Sequence, residues 1–588
     1  MARTGVRFVF VIVGLAAFMA VCGAILLAVL FARGPSVPDG SMLVLEVGGE
    51  VEEVPPDDVV EQFLNRDAAT VRGLVETLRK AQRDPRIAGV LLRPTPLASP
   101  YWGKVQELRD AVLAFRRSGK PVVAFLEYGS DREYYLASAA DRIVLVPTSP
   151  LDVTGVASYE VFLRGALDKV GAYPDFLHVG EYKTAVNQFT ETGFTPEHRE
   201  MTESLNRDMY AQLVRGIAEG RGKDAAEVQA LIDQGPFTPQ EALEHGFVDA
   251  LAYDDQVDDR MREWRIGGAG ELPRLDGRDY RRVSPRSVGI EPRSRIAVLY
   301  AVGTIVSGRS AFDPVNGPLV GSDTLVEQIR RVREDDAVRA IVLRVDSPGG
   351  SSVASDVIWR ELAITRADSG RPLVASMGDL AASGGYYISM AAQEIVAQPA
   401  TLTGSIGVFM GKIVLGGTAG KLGVATGTVT AGANADIYSP FTPFTDAQRA
   451  QLGEYMQGFY DTFVAKAAEA RGTTPAAIHE VAQGRVWTGI QGKDHGLVDA
   501  LGGLDTAVAR AKALAGIPAD EEVELVAYPP RRSFYEALTA SLGGATVSAR
   551  MWRGLLGADG QALAAASLPA RLFRRGEPLA LMPFALVR

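Results

Sequence analysis

One serine, Ser383, has small residues on both sides that could leave its hydroxyl uncovered as a nucleophile. The segment "GDLAASGGYYIS" covers residues 378–389, with two alanines before Ser383 and two glycines after it. Small residues let a substrate approach, and they free backbone N–H groups to face it. The same composition lets two backbones pack closely, which is the more common use of a Ser-Gly-Gly sequence. The segment by itself is therefore compatible with nucleophilic catalysis and with close packing.

A second segment of small residues, "VDSPGGSS" at residues 345–352, follows a predicted strand. A Pro-Gly-Gly turn in that place can point successive N–H groups outward and form an anion-binding nest. Ser383 is expected at the exit of the next strand, and ligands of open α/β sheets bind outside the carboxyl ends of the strands. The two segments together predict one site that combines a hydroxyl with N–H donors.

The chain contains two copies of one domain. Residues 119–156 resemble residues 370–408, and "EALEHGFVDAL" resembles the later "IQGKDHGLVDAL". Three pairs of landmarks are separated by 250 to 252 residues: Gly119 and Gly370, Tyr134 and Tyr386, and His245 and His495. A nearly constant separation at three places indicates a tandem duplication. Because both copies keep the histidine, we expect it to serve the fold rather than catalysis.

The two copies differ at the positions that could do chemistry. Asp131 stands where the second copy has Ser383, and the first copy lacks the adjacent Gly-Gly. Conversely, "VGEYKTAVNQF" in the first copy contains Lys183, whereas the corresponding residues 430–446 contain no lysine. A serine hydroxyl needs a base, and burial would lower the pKa of a lysine enough to make it one. Each copy thus carries one candidate residue that the other copy lacks. This reciprocal loss favours Lys183 as the base, although a lone lysine is ordinarily a solvated surface group.

A histidine base is the alternative. The chain has five histidines, which are His178, His198, His245, His479 and His495. None of them is close to Ser383 in the sequence. A Ser-His-Asp triad that uses His178 or His198 therefore stays open at this point, although nothing in the sequence marks either residue.

Short apolar runs alternate with helical segments in both copies, which predicts an α/β fold of parallel sheets covered by helices. The predicted strands are "SMLVLEV", "AGVLLR", "PVVAFL" and "RIVLVP" in the first copy, and "RIAVLYAV", "AIVLRV", "PLVASM" and "EIVAQP" in the second. The predicted parts of the chain are an anchor at 1–33, a first repeat at 41–255, a linker at 256–293, a second repeat at 294–520 and a tail at 521–588.

The segment 8–32 is predicted to be one transmembrane helix. Its 25 residues carry no charge, and at ~1.5 Å per residue they reach about 37 Å, enough for a hydrocarbon core of ~30 Å. Arg3 and Arg7 precede it, and Arg33 alone follows directly. The excess of positive charge before the helix predicts a cytoplasmic N-terminus, with the rest of the chain on the outer side.

Composition and charge exclude several classes of function. The formal net charge is −10 and no basic stripe is present, so nucleic acid is not an expected partner. Cys22 is the only cysteine, which excludes an intrachain disulfide. With neither a Cys/His cluster nor a phosphate-binding loop in the sequence, we expect no metal and no cofactor.

The segments "VDSPGGS", "AASGGYYIS", "TLTGSIGVF" and "YKTAV" resemble the signal peptide peptidase A family, peptidase family S49, in its long bacterial form. This resemblance implies a tandem ClpP/crotonase-like fold and a Ser-Lys dyad, with the serine from the second repeat and the lysine from the first. It implies Ser383 as nucleophile, Lys183 as general base, Gly350 and Gly384 as oxyanion-hole donors, and Ser405 as the residue that positions the lysine.

The resemblance also implies a cellular setting. The expected protein is a serine endopeptidase of the bacterial inner membrane, a homotetramer with its catalytic domains on the periplasmic side. Its expected substrates are released signal peptides and other hydrophobic peptides. Two alternatives remain: a crotonase-like acyl-CoA hydratase or hydrolase, and a non-catalytic membrane-anchored assembly scaffold.

Overall fold

Two sheets of parallel strands, one in each repeat, form the framework of the chain. The computed structural model describes residues 35–54, 69–266, 272–313, 317–528, 576–583 and 586–587. The strands of the first repeat are β1 (Ser41–Gly49), β2 (Ile87–Leu97), β3 (Val122–Leu126), β4 (Gly129–Ser130), β5 (Arg142–Leu145), β6 (Leu151–Asp152), β7 (Ser158–Tyr159), β8 (Tyr173–Val179), β9 (Ala250–Leu251) and β10 (Arg274–Asp276).

The remaining described strands belong to the second repeat and to the segment after it. They are β11 (Ser294–Val302), β12 (Thr304–Val306), β13 (Ala311–Asp313), β14 (Gly317–Gly321), β15 (Val338–Ser347), β16 (Gly349–Ser351), β17 (Leu373–Ala382), β18 (Glu394–Ala397), β19 (Leu402–Gly404), β20 (Val408–Val414), β21 (Val486–Thr488), β22 (Ala500–Leu501), β23 (Val523–Tyr528), β24 (Leu579–Leu581) and β25 (Leu586–Val587).

Each repeat has the predicted parallel sheet. The first sheet has the order β10-β1-β2-β3-β5-β9, with every neighbouring pair parallel. In the second sheet β19, β17, β15, β11 and β23 are parallel neighbours, β18 pairs with β17, and β21 is antiparallel at the edge. The eight apolar runs named above fall in β1, β2, β3 and β5 and in β11, β15, β17 and β18. The α/β prediction is confirmed.

Helices cover the faces of these sheets, as continuous apolar strands require. In the first repeat they are α1 (Val71–Arg83), α2 (Gly103–Arg116), α3 (Asp131–Ala137), α4 (Arg164–Val170), α5 (Asn187–Thr190), α6 (Pro196–Arg221), α7 (Ala225–Ile232), α8 (Pro239–Glu244), α9 (Val257–Glu263) and α10 (Gly277–Tyr280). Later they are α11 (Ser322–Glu334), α12 (Ser352–Ser369), α13 (Gly384–Ser389), α14 (Gly416–Lys421), α15 (Asp446–Ala470), α16 (Pro475–Val481), α17 (Gly489–Asp494) and α18 (Leu504–Leu514). Short 3₁₀ turns occur at Thr184–Val186, Asp254–Gln256 and Pro285–Val288.

The duplication extends to individual hydrogen bonds. The hydroxyl of Tyr134 donates to the carbonyl of Phe247 at 2.7 Å, and the hydroxyl of Tyr386 donates to the carbonyl of Leu497 at 3.2 Å. Both tyrosines are completely buried. Because a buried hydroxyl needs a partner, the tyrosine landmark of each repeat is explained by the fold that both repeats share.

A third sheet joins the two repeats. Its order is β13-β14-β12-β16-β24-β20-β8. Strand β8 of the first repeat lies antiparallel to β20 of the second, from Val179 opposite Val408 to Tyr173 opposite Val414. Lys183 follows the end of β8, and Ser405 precedes the start of β20. The pairing of these two strands therefore brings the lysine of one repeat next to residues of the other.

Buried ions also connect the repeats. The guanidinium of Arg344 on β15 lies 2.7 Å from the carboxylate of Glu53 and 2.6 Å from that of Glu107 on α2. Lys104, also on α2, lies 2.7 Å from Asp346. The acids around Arg344 come from the first repeat and the arginine from the second, so these contacts are made only when the repeats pack together.

The predicted linker and tail take part in the fold. Residues 256–293 contain α9, α10 and the edge strand β10, and Arg274 of that strand pairs with Asp254 and Asp258. The second repeat continues past 520, since β23 pairs with β11. In the described residues, the connection between the repeats is therefore folded, and ion pairs of Arg274 contribute to it.

The predicted anchor, residues 8–32, lies outside the described residues. Within the ranges that the structure describes, no helix is both long enough and apolar enough to cross a membrane.

Candidate active site

Ser383 occupies an unusual backbone conformation between β17 and α13. Its φ is 56° and its ψ is −111°, a region that side-chain-bearing residues rarely adopt and that is enriched at functional sites. The conformation is held on both sides, because the N–H of Ser383 donates to Gly404 at 2.8 Å and its carbonyl accepts from Tyr387 at 2.8 Å. The side chain is completely buried. The fold thus fixes the hydroxyl at the end of a central strand.

The glycines near Ser383 allow the start of α13 to pack closely against β16 and α12. A Cβ atom on Gly384 would lie 2.6 Å from Oγ of Ser355, and one on Gly349 would lie 2.7 Å from the backbone nitrogen of Gly384. Gly349 also has a φ of 99°, which favours glycine. Close packing and a buried hydroxyl held at a fixed place are therefore both properties of this segment.

Lys183 reaches Ser383 from the first repeat. Its Nζ lies 2.8 Å from Oγ of Ser383, 3.0 Å from Oγ of Ser405 and 3.0 Å from the carbonyl oxygen of Ser405. All three residues are completely buried. The structure brings together, within one chain, three residues that are separated by up to 222 positions in the sequence.

Burial lowers the pKa of Lys183 well below its ordinary value. Desolvation of the ammonium is the cause, and no nearby carboxylate offsets it. A lysine in such a place holds its proton weakly, so its amine is suited to accept one from a neighbouring hydroxyl.

Ser405 and Gly484 hold the lysine in position. Ser405 has a φ of 51°, and its N–H donates to Arg485 at 2.7 Å. A Cβ atom on Gly484 would lie 2.5 Å from Cα of Lys183, so this glycine lets the lysine segment pack against the second repeat. Sequence reasoning missed Gly484, because a single glycine outside a motif gives no signal of what it packs against.

The two predicted oxyanion-hole donors lie on segments that approach each other, because a Cβ atom on Gly349 would lie 2.7 Å from the nitrogen of Gly384. Gly350 belongs to β16, where it pairs with Ile305 of β12 on one side and with Ala580 of β24 on the other. Gly384 begins α13, directly after Ser383. The predicted nest is therefore a short strand, and its N–H groups face a neighbouring strand instead of open solvent.

The two histidines that a Ser-His-Asp triad could have used, His178 and His198, do not contact Ser383. Within the described part of the chain, no histidine hydrogen-bonds Ser383. His198 is buried 3.5 Å from Glu160, and the ring of His178 contacts the carbonyl of Gly180. The hydroxyl of Ser383 therefore has the amine of Lys183 as a hydrogen-bond partner, and no imidazole.

The histidines that the two repeats share lie at equivalent helix ends. His245 is the C-cap of α8 and packs against Phe237, and His495 is the C-cap of α17 and packs against Trp487. Their packing matches the predicted structural role. In the described ranges no group of three or more potential metal ligands is close enough to hold an ion.

Asp131 occupies the position in the first repeat that corresponds to Ser383 in the second. Its carboxylate accepts hydrogen bonds from the N–H groups of Thr154 at 3.1 Å and Gly155 at 3.0 Å. Burial raises the pKa of Asp131 to about 6. The carboxylate at the equivalent position therefore ties two backbone segments of the first repeat together.

Several proteins resemble this chain over most of its length. The chloroplastic serine protease SPPA of Arabidopsis thaliana is 34% identical over 88% of this chain and 76% of its own. Protease 4 of Salmonella typhi is 37% identical over 75% of this chain and 71% of its own, and Protease 4 of Haemophilus influenzae is 31% identical over 77% and 74%.

Solved structures give a weaker likeness. The 1510-N membrane-bound stomatin-specific protease covers 40% of this chain at 15% identity, with a TM-score of 0.25. A likeness at this score has no bearing on function.

The family model of Peptidase family S49 matches residues 114–265 and 365–518, once in each repeat and over half of the chain. The chain therefore belongs to peptidase family S49 and is a serine peptidase.

Proposed function

We propose that the chain is a serine endopeptidase that works through a Ser383–Lys183 dyad. The observation that carries this proposal is the 2.8 Å approach of the Lys183 amine to Oγ of Ser383 in a fully buried site. Both groups are arranged as nucleophile and base must be, within hydrogen-bond distance and with the base oriented by a third group. Ser405 is that third group, because its hydroxyl and carbonyl both contact the amine.

The mechanism follows from these contacts. Neutral Lys183 accepts the proton of Ser383 as Oγ attacks the peptide carbonyl. The N–H groups of Gly350 and Gly384 stabilise the oxyanion, and losing one donor of this kind costs about 2.7–4 kcal/mol of transition-state stabilisation. Lys183 then passes the proton to the leaving amine. Water hydrolyses the acyl-enzyme, with the same amine as base.

The proposed substrates are hydrophobic peptides, released signal peptides among them. An apolar cluster next to the dyad supports this class, since Ala185 and Val186 pack there with Phe409 and Phe176. We propose an N-terminal anchor at residues 8–32, with the catalytic domains on the periplasmic side of a bacterial inner membrane. A ClpP/crotonase-like fold for each repeat and a homotetrameric assembly complete the proposal.

Two other functions fit the described site less well. A membrane-anchored scaffold gains nothing from a lysine whose burial without a counter-ion costs stability. A crotonase-like acyl-CoA enzyme would use paired N–H groups, but it has no need of a serine hydroxyl held against a neutral amine. The dyad therefore favours a peptidase.

Labelling with a serine-reactive phosphonate tests the proposal. We expect one adduct per chain, on Ser383, and no adduct on Ser383→Ala or Lys183→Met. Ser389→Ala is the matched control, because that serine is equally buried six residues away and its hydroxyl bonds the carbonyl of Gly385. Labelling of Lys183→Met at the unmodified rate would contradict the proposed base.

A further inference from the structure

One guanidinium contacts two aromatic rings next to the candidate active site. The central carbon of the Arg485 guanidinium lies 4.7 Å from the centre of the Tyr182 ring and 4.4 Å from the centre of the Trp487 ring. Tyr182 belongs to the first repeat, whereas Arg485 and Trp487 belong to the second. These three side chains, termed here the aromatic clamp, therefore cross the junction between the repeats.

In the first repeat, the aromatic clamp contains the residue that directly precedes Lys183. The N–H of Tyr182 donates to the carbonyl of Gln483 at 2.8 Å, and its hydroxyl donates to the carboxylate of Glu200 at 2.9 Å. The same carboxylate accepts a hydrogen bond from Arg485 at 2.7 Å. Tyr182 is thus joined to the guanidinium directly, through its ring, and indirectly, through Glu200.

In the second repeat, the aromatic clamp reaches the turn that carries Ser405. A Cβ atom on Gly404 would lie 2.9 Å from the ring of Trp487. The carbonyl of Arg485 accepts the N–H of Ser405 at 2.7 Å, and the carbonyl of Gly404 accepts the N–H of Ser383 at 2.8 Å. The aromatic clamp therefore lies next to the segments that carry all three residues of the site.

Stacking explains better than charge why an arginine occupies this position. A guanidinium is flat and can stack on aromatic faces while it bonds a carboxylate, whereas a lysine ammonium is a compact point charge. The side chain of Glu200 is 53% exposed, so solvent screens its ion pair with Arg485. The side chain of Arg485 is only 17% exposed. The sheltered ring contacts are therefore the stronger reason for an arginine here.

We propose that Arg485 is a positioning residue of the peptidase, and that its guanidinium holds residues 182–184 against the turn of Ser405. This contact keeps the amine of Lys183 within hydrogen-bond distance of Ser383. The inference rests on the proposed peptidase function and adds a residue that touches neither the substrate nor the reacting atoms. Arg485 acts through Tyr182 and exchanges no proton in the reaction.

Loss of the aromatic clamp should be visible in the protonation of Lys183. Desolvation is the only resolved cause of the lowered pKa of this lysine, so that pKa reports how well water is kept from the amine. A loosened lysine segment would admit water, and the pKa of Lys183 would rise toward ~10.4. A residue that serves only the stability of the fold would leave the pKa of Lys183 unchanged.

The test compares the unmodified full chain with Arg485→Met, which keeps an apolar stem and removes the planar group. The measurements are kcat and KM for one apolar peptide, and the pH midpoint of phosphonate labelling. We expect kcat to fall about 10- to 100-fold with KM little changed, because a small misplacement of a catalytic group is costly. The pH midpoint should rise by about one unit.

Arg471→Met is the matched control. The side chain of Arg471 is 10% exposed, and it bonds Asp499 and the carbonyl of Gly496 instead of the residues of the aromatic clamp. Its loss should lower the thermal transition while kcat and the pH midpoint stay those of the unmodified chain. Equal changes of kcat and midpoint in Arg471→Met and Arg485→Met would overturn the inference, because they would report general loosening of the fold.

A second pair of variants decides the question even if Arg485→Met does not fold. Tyr182→Leu removes the ring on the first-repeat side and should reproduce the lower kcat and the higher midpoint. Tyr173→Leu is its control, because the Tyr173 ring also lies over an arginine, Arg164 at 5.2 Å, but at the far end of β8 from Lys183. A folded Tyr182→Leu chain with an unchanged kcat and midpoint would overturn the inference and leave the peptidase standing. An unmodified chain that takes no label and cleaves no peptide would contradict the proposed function itself.

Discussion

At the scale of single residues, the proposed chemistry depends on Lys183, which is buried without a counter-ion. The only resolved influence on the pKa of Lys183 is desolvation, which favours the neutral amine. The amine nevertheless has polar neighbours, because the two oxygens of Ser405 lie 3.0 Å away. These contacts orient the nitrogen without restoring its charge. The residue can therefore act as a base at a pH well below the ~10.4 at which a free lysine loses its proton.

The rate of phosphonate labelling should rise with pH as Lys183 loses its proton. Because burial lowers the pKa of Lys183, the midpoint should fall well below ~10.4, the value of a free lysine. The measurement is the second-order labelling rate across the pH range in which the fold is stable. A rate that climbs only near pH ~10 would mean that the base is a solvated lysine.

Stability should respond to pH through the same group. Below the lowered pKa of Lys183 the folded and unfolded states are both protonated, so the cost of burying the ammonium is felt in full. As pH rises toward ~10.4 the unfolded lysine also becomes neutral, and the cost disappears. Lys183→Met should therefore be more stable than the unmodified chain at neutral pH, with the gap closing at alkaline pH. Urea midpoints at several pH values measure it, and a gap that widens with pH would contradict the assignment.

At the scale of elements, the dyad depends on the contact between the lysine segment and the second repeat. Strands β8 and β20 set the register, and Gly484 lets the two backbones approach. The strands and the parallel sheets could be predicted from apolar runs, and the lysine and serine from their reciprocal loss. The antiparallel pairing of β8 with β20 could not, since it joins residues from different repeats and no local pattern encodes it.

Gly484→Ala should abolish most activity while the protein stays folded. The new Cβ atom would lie 2.5 Å from Cα of Lys183 and would push the lysine segment away. A displacement of about 1 Å at a catalytic group can cost ~100-fold in rate. Gly472→Ala is the matched control, because Gly472 also has a positive φ but nothing within 4 Å of its added Cβ. Equal kcat values for the two variants would show that backbone strain, and not contact with Lys183, determines the effect.

At the scale of the whole molecule, the proposed function requires both repeats, and the ions around Arg344 are part of what joins them. Arg344 is completely buried between Glu53 and Glu107. The two repeats could be predicted from the sequence, because three pairs of matching residues keep a nearly constant spacing although the two copies differ elsewhere. Strand β24 could not be predicted, because its residues resemble neither copy and its pairing with β16 joins distant parts of the chain.

Arg344→Met should destabilise the whole chain. Removing the guanidinium leaves two carboxylates buried without a partner, which costs about 3–5 kcal/mol in unfolding free energy. Arg295→Met breaks a pair with Glu524 in which both side chains are about half exposed, and it should cost no more than ~1 kcal/mol. Denaturant unfolding of both variants measures the difference. Equal losses would show that the repeats do not depend on the buried ions.

The most direct test of the central claim is the rate of hydrolysis of one apolar peptide by three variants of the full chain. Ser383→Ala and Lys183→Met should each lower kcat/KM by at least ~1,000-fold, since members of a catalytic unit fail together. His198→Gln changes a buried imidazole that does not contact the serine, and it should retain most of the activity. A Lys183→Met chain that hydrolyses the peptide at the unmodified rate, beside an inactive His198→Gln chain, would contradict the Ser-Lys assignment.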